Sequence, residues 1–378
     1  GGFNAYYLNN EMLQGEIVIP EGTTKIPVYA FKGQTEITSV VLPSSVKKIE
    51  YGAFRGCIKL EQINIENVEE IDSSAFHSCI KLNNITLSNK LEILSSGIFS
   101  DCRALDNIII PNTVTEIGNS AFYGCSSLTS VVLPNSVESI GDSSFADCTS
   151  LEHITLSNSL KYIDPYSFRN TALTEVSIPN SVEELGFAVF YECTNLKNIL
   201  IPSSVTKIGN AFAAWTNSDL KIYYNGTNEQ WNQIEIGNEN DELNNKIFVP
   251  NLSNLISAVE NNNYSLETNS LTYDFDGGNI LFNSNIYVKE GNQYVGYTLV
   301  AENNKVRYDN VGTLNLSYIE MLKFGVENYV FNGDEYDIAF VNDELAFVSN
   351  KTFEVDGVEV SNRVIKYVDG NYVLSFVA

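Results

Sequence analysis

One aromatic position organises the first two thirds of the chain. Phe31, Phe54, Phe76, Phe99, Phe122, Phe145, Phe168, Phe190 and Phe212 follow one another at intervals of 22 or 23 residues. A small or β-branched residue usually stands before each, as at Ala53, Ala75, Ala121 and Ala211. Leu60, Leu82, Leu105, Leu128, Leu151 and Leu196 lie six residues after it. Next come apolar pairs with one residue between them, among them Val40 and Leu42, Ile63 and Ile65, Ile85 and Leu87, Ile108 and Ile110, and Val131 and Leu133. Alternation over three to five positions predicts a short strand with one face buried.

The rest of the unit punctuates that strand. Pro43, Pro111, Pro134, Pro179 and Pro202 follow directly, and proline ends a strand because it has no amide to give to a ladder. A Ser-Val or Thr-Val step comes next, as at Ser45-Val46, Thr113-Val114 and Ser136-Val137, and then an Ile with a polar turn. A unit this small cannot bury its own apolar face, so neighbours must stack and share one core. The expected architecture is a solenoid of about nine repeats with short parallel strands. At a strand spacing of about 4.8 Å the array would run roughly 40 Å.

The unit from Leu105 to Cys125 reads Leu-x-x-Ile-x-Ile-Pro-x-Thr-Val-x-x-Ile-Gly-x-x-Ala-Phe-x-x-Cys. It resembles the BspA-like leucine-rich repeats of bacterial surface proteins, and the resemblance covers about residues 15–236. The stretch Ile222 to Thr227 with Trp231 is similar to the way such arrays close. Thr171 stands where Cys is usual, and Glu66, Ser88 and Ser157 stand where Pro is usual, which places those individual turns in question. The resemblance implies a leucine-rich-repeat solenoid, secreted or displayed at the surface, that adheres to other proteins and catalyses nothing.

The phenylalanine register stops near residue 250, and Pro250 marks the expected boundary between a solenoid with its caps (1–249) and a β-rich domain (250–378). Leu252, Leu255, Ile256 and Val259 have helical spacing, and Ser317 to Phe324 is a second candidate helix. From Tyr264 onward the chain alternates, with turn signals at Asp276-Gly277, Glu290-Gly291, Asn332-Gly333, Asp356-Gly357 and Asp369-Gly370. Val364–Val368 and Tyr372–Val377 form the clearest hairpin, so a small α+β domain with an antiparallel sheet is expected.

Six cysteines, Cys57, Cys79, Cys102, Cys125, Cys148 and Cys193, each lie three residues after a repeat Phe. They form no Cys-x-x-Cys pair of the zinc or redox kind. Stacked repeats could bring them within disulfide reach. The first five, however, form an odd unbroken run, and that side of a curved solenoid is expected to be splayed. Buried free thiols are therefore expected.

Charge narrows the partners. With 47 acidic against 22 basic residues the chain carries a formal −25, which would repel nucleic acid and anionic membrane, leaves cationic partners open, and also serves solubility. No apolar run approaches the roughly 20 residues needed to cross a bilayer, so no membrane insertion is expected. The start at Gly1-Gly2, without Met or a signal peptide, reads as a trimmed terminus.

Chemistry is scarce. The two histidines, His77 and His153, fall in different repeats, and no nucleophile elbow, zinc-protease motif or phosphate loop occurs. Asp274, Asp276 and Asn279 around Gly277-Gly278 have the look of a cation loop but lack the later bidentate Glu, so a hairpin turn is the competing reading. Neither a cofactor nor a reaction is implied.

A binding face can be placed instead. The middle residue of each predicted strand points away from the core, which aligns Val41, Asn64, Thr86, Ile109, Val132, Thr155, Ser177 and Leu200 in one outward ladder. It carries no charge, and four of the eight members are apolar. That composition suits a contact surface, and equally suits strand propensity alone. The row beside it, Glu61, Asn83, Asp106, Thr129, Glu152, Thr174 and Lys197, is mixed and acidic. The first functional expectation is a surface adhesion or protein-binding module whose partner is a protein or a host or extracellular-matrix surface. The alternative is a carrier in which the C-terminal domain holds an apolar small molecule or glycan above a solenoid stalk. A glycan-active enzyme, a third class, would need a carboxylate pair in a cleft, which the sequence does not place.

Overall fold

The computed structural model describes residues 13–83 and 85–248, and beyond them the backbone of a set of strands between Tyr264 and Phe376. The chain divides into two compact units, Gly1–Val249 and Pro250–Ala378.

The first unit is a parallel solenoid of about ten turns. Strands expected from the alternating pairs form most of its first row, Glu36–Val41 and Gln62–Ile63, then Ser130–Val132 with His153–Thr155, then Glu175–Ser177 and Asn198–Pro202, and Gln14–Val18, Lys221–Asn225 and Ile247–Phe248 extend it at the two ends. All pairing in this row is parallel, with Val40 opposite Ile63, Ile154 opposite Val131 and Ile199 opposite Ile222. The row is interrupted where Ile85–Leu87 and Ile108–Ile110 were expected as strands. Leu87, Ile108 and Ile110 still face the core there, but no strand is formed. The pairing of Glu36–Val41 with Gln62–Ile63 ends at Asn64. Its carboxamide accepts from Leu42 N at 2.7 Å and donates to Leu42 O at 2.9 Å, replacing the backbone partners of a continuing ladder.

A second parallel row, which the alternation did not predict, is built of two-residue strands: Lys25–Ile26, Lys48–Ile49, Glu70–Ile71, Ile93–Leu94, Glu116–Ile117, Ser139–Ile140, Tyr162–Ile163, Glu184–Leu185, Lys207–Ile208 and Glu235–Ile236. In nearly every one the second residue is buried and the first is turned outward or half-buried, so two residues suffice to seal this side of the core. Such a strand is too short to show alternation in sequence. The glycine after it reports the packing: a Cβ on Gly118 would lie 2.6 Å from Ser96 N in the preceding turn, so only glycine lets those two turns close.

The third side holds the phenylalanines. From Phe31 to Phe190 the rings stack with centroids 5.1–5.7 Å apart, and Phe190 meets Phe212 edge to face. Every repeat Phe from Phe54 onward is fully buried. Backbone bonds between turns hold this side, such as Phe99 N to Ala121 O at 2.8 Å and Phe122 N to Ser144 O at 2.8 Å. Tight corners flank each ring, and residues with positive φ occupy them, such as Ser120 and Gly124 around Phe122, and Ser143 and Asp147 around Phe145. Serine, aspartate and glycine tolerate that conformation better than bulky residues do.

The smaller consensus positions have structural partners as well. Hydroxyls of the Ser-Val or Thr-Val step donate to carbonyls one turn earlier: Ser45 to Thr23 O, Thr113 to Leu91 O and Ser136 to Val114 O, at 2.7–2.8 Å. The turns that lack proline keep their form. Ser88 and Ser157 each accept a backbone N–H two residues on, and Leu91 and Leu160 close the turn as Val114 does after Pro111. After Glu66 the turn closes one residue earlier, from Val68 N to Ile65 O. At the far end a short helix, Asn228–Trp231, is fixed by a capping box between Thr227 and Gln230, and Trp231 packs edge-on against Tyr224.

In the second unit the described backbone pairs mostly antiparallel. Asn285–Glu290 pairs with Gln293–Glu302, Phe353–Val355 with Val358–Val360, and Arg363–Val368 with Asn371–Phe376. These strands flank the turn signals Glu290-Gly291, Asp356-Gly357 and Asp369-Gly370. One pair is parallel, Tyr264–Leu266 beside Asn371–Phe376. The two candidate helices lie outside the described residues.

Candidate functional site

The outward ladder lies along the first strand row. Ile109 and Val132 are 79 % and 64 % exposed, and Val41, Asn64, Thr86, Thr155 and Ser177 are exposed as well. Leu200 differs from the expectation: it is 6 % exposed. All five residues of Asn198–Pro202 are buried, so no alternation of exposure is seen there, and Leu200 pairs with the equally buried Tyr223. The row also extends upstream to Val18, which is paired with Val41 and 66 % exposed. Val18 lies 23 residues before Val41, so the repeat spacing reaches it, but its strand precedes the first repeat Phe and carries no phenylalanine of its own to mark it.

Around this uncharged row the charges are sorted. Ion pairs gather on the second row: Lys25 with Glu50 at 2.7 Å, Lys48 with Glu70 and Asp72, Lys47 and Lys90 with Glu69, and Lys161 with Glu183. Hydrogen bonding from Lys25 is the main influence holding the Glu50 carboxyl below its ordinary range. On the phenylalanine side Asp147 receives Arg169 at 2.7 Å and Asn170 at 2.8 Å. In the flanking row Glu61, Asn83, Asp106, Thr129, Glu152 and Lys197 are exposed and Thr174 is half-buried.

Nothing in the described residues assembles as catalytic machinery. His77 is half-buried, and burial followed by the nearby Arg55 pushes its imidazole pKa down. His153 lies on the strand row beside Ser130. The cysteine thiols are all free and buried. Burial pushes the Cys57 thiol up to about 12 and Cys193 up to about 11, which removes the thiolate that nucleophilic or redox chemistry needs. Among the described residues no group of three or more His, Cys, Asp or Glu side chains could hold a metal. The cation-loop candidates Asp274, Asp276 and Asn279 lie outside the described residues, as does any cavity of a C-terminal carrier. No helix among the described residues is long and apolar enough to cross a membrane.

Comparison with known proteins agrees with the repeat. A leucine-rich-repeat protein of T. pallidum is 31 % identical over 48 % of this chain and 77 % of its own, with a TM-score of 0.39. One from Bacteroides ovatus is 25 % identical over 64 % of this chain and 75 % of its own, with a TM-score of 0.44. A leucine-rich cell-surface protein of Faecalibacterium prausnitzii is 26 % identical over 60 % of this chain and 83 % of its own, with a TM-score of 0.30. No curated protein matches the chain. The sequence model of the BspA type leucine-rich repeat region matches in six copies, over residues 3–129 and 115–248. Those matches span well over half of the 378 residues, and the chain belongs to the BspA-type leucine-rich-repeat family.

Proposed function

We propose that this chain is a non-catalytic adhesion module, secreted or displayed at a cell surface, that binds another protein through the first strand row of its solenoid. One observation carries the reading: Ile109 and Val132 stand in successive turns, largely exposed, on a row without charge in a chain of formal charge −25. Solvent-facing strand positions gain nothing for folding from such side chains beyond strand propensity. Adjacent apolar side chains kept in water are typical of contact surfaces. Family membership supports a protein-binding role, and the resemblance to bacterial surface proteins supports the location. The acidic surface sets nucleic acid and anionic lipid aside as partners.

The test compares wild-type chain with Ile109→Asp/Val132→Asp in capture of surface and matrix proteins. Two carboxylates forced into an interface without partners should weaken binding at least about tenfold. A stable double variant that captures the same proteins equally well would exclude this row and redirect the search to the acidic flank.

A further inference from the structure

The ladder face is not flat. Between Val41 and Thr86 it dips into a groove of about 290 Å³, at the lower end of the size range of ligand pockets and suited to one long side chain. The cause is local. The Asn64 carboxamide is turned back onto Leu42, holding its N–H and its carbonyl at 2.7 and 2.9 Å, and so leaves its place in the row unfilled. Two charged residues line the groove, Glu16 and Glu66, and both are acids. Among the described residues no Lys or Arg is ion-paired with either, whereas Glu36, Glu50, Glu69, Glu70 and Glu183 all have such partners. Apolar pairs bound the groove on both sides: Val18 with Val41 before it, Ile109 with Val132 after it. At about 4.8 Å per turn the five steps from Val18 to Val132 span roughly 24 Å.

We infer that the groove receives a lysine or arginine side chain of the partner protein, while apolar residues on either side of that cation cover the two exposed pairs. This deepens the strand-face reading and rests on it. A partner closing over the groove removes Glu16 and Glu66 from water, which is costly unless a cation enters with it. The stem of a lysine or arginine lies along the exposed Val41 while its charged head meets a carboxylate at the rim of the groove. A neutral or acidic side chain leaves both carboxylates unpaired, so the groove sets partner choice as well as affinity.

The experiment uses the full chain and three labelled peptides about ten residues long, enough to span the row when extended. The first alternates Leu and Lys, the second replaces Lys by Glu, and the third replaces Leu by Ser. Binding is read by fluorescence anisotropy in about 0.15 M salt, where long-range attraction is screened. The Leu-Lys peptide should bind saturably below about 1 mM, and the other two at least about tenfold more weakly. Glu16→Gln/Glu66→Gln should weaken the Leu-Lys peptide at least about tenfold, while the exposed control Glu116→Gln/Glu138→Gln on the second row stays within about twofold. Equal weakening by the two variants would reduce the effect to general attraction by an acidic chain and overturn the inference. Absence of saturable binding would overturn it too. Ile109→Asp/Val132→Asp separates the two readings: if it alone weakens binding, the groove assignment fails and the strand face stands. If neither that variant nor the glutamate pair weakens binding, the strand face itself falls.

Discussion

The thiol of Cys125 donates to the carbonyl oxygen of Phe99 at 3.2 Å, across 26 residues of sequence and one turn of the solenoid. The same bond recurs from Cys57 to Phe31, Cys79 to Phe54, Cys102 to Phe76, Cys148 to Phe122 and Cys193 to Phe168. Each sulfur is thus a buried donor to a corner carbonyl, and in most turns that oxygen also accepts a backbone N–H, as Phe99 O does from Cys102. Thr171, which stands where a cysteine is usual, does the equivalent within its own turn, donating to Phe168 O at 2.9 Å. The splay expected to keep the cysteines apart is slight, since the neighbouring rings are only 5.1–5.7 Å apart. The thiols are committed to carbonyls instead. Native chain should react negligibly with a thiol reagent at pH 8, and chain denatured without reductant should titrate as six thiols. Recovery of fewer would mean that neighbouring cysteines pair.

Because that position holds a small donor, Cys125→Thr should change stability by less than about 1 kcal/mol, and Cys125→Ala should cost about 1 kcal/mol more, the usual net value of one hydrogen bond, since Phe99 O keeps the Cys102 N–H. Urea titration of the two variants checks the order. Equal losses would show that the sulfur acts by volume alone.

Phe122 lies between Phe99 and Phe145, with ring centroids at 5.6 and 5.2 Å, and is fully buried. Phe122→Ala should cost about 3–5 kcal/mol, the usual range for emptying a large core site. In a stack where each turn contacts only its neighbours, the loss should appear first as local opening around turns 99–145 in hydrogen exchange. A cost below about 1 kcal/mol would contradict the observed packing.

Ile109→Asp/Val132→Asp removes side chains that face water, so its melting curve should stay within about 1 kcal/mol of wild type. This folding control gives the binding comparison its meaning. An unfolded double variant would contradict the exposure of both residues.

Burial by itself would raise the Asp147 carboxyl, but hydrogen bonds from Asn170, Tyr123 and Arg169 outweigh it and hold the group below its ordinary value. A carboxylate lowered in the folded state contributes stability that is complete above its unfolded pKa of about 3.9 and is lost as pH falls through the folded value. Asp147→Asn should therefore cost about 1 kcal/mol at pH 7, after solvent screening of a partly exposed cluster, and the difference should shrink as pH falls below about 3.9. Denaturant titrations at pH 7 and at pH 2.5 test this. A difference that stays constant would assign the effect to packing.

By itself the sequence determined the repeat, its period and the inward row of every turn. Phenylalanines spaced 22 or 23 residues apart, with an alternating apolar pair in each unit, can bury their faces only by stacking. Chain-local signals also placed the prolines, the Ser-Val step and the free cysteines. Three features were decided by tertiary structure, each because it depends on what lies one turn away. The second strand row is invisible in two-residue segments such as Glu116–Ile117 and exists only because Ile93–Leu94 and Ser139–Ile140 pair beside it. The burial of Leu200 is shared with Tyr223, its partner one turn on, though its own strand reads like that of Val132. The groove at Asn64 arises because its carboxamide finds the backbone of Leu42, 22 residues earlier, a contact that alternation cannot encode. Hydrophobic period reports which side a residue faces, whereas exposure on that side is set by the neighbouring turns.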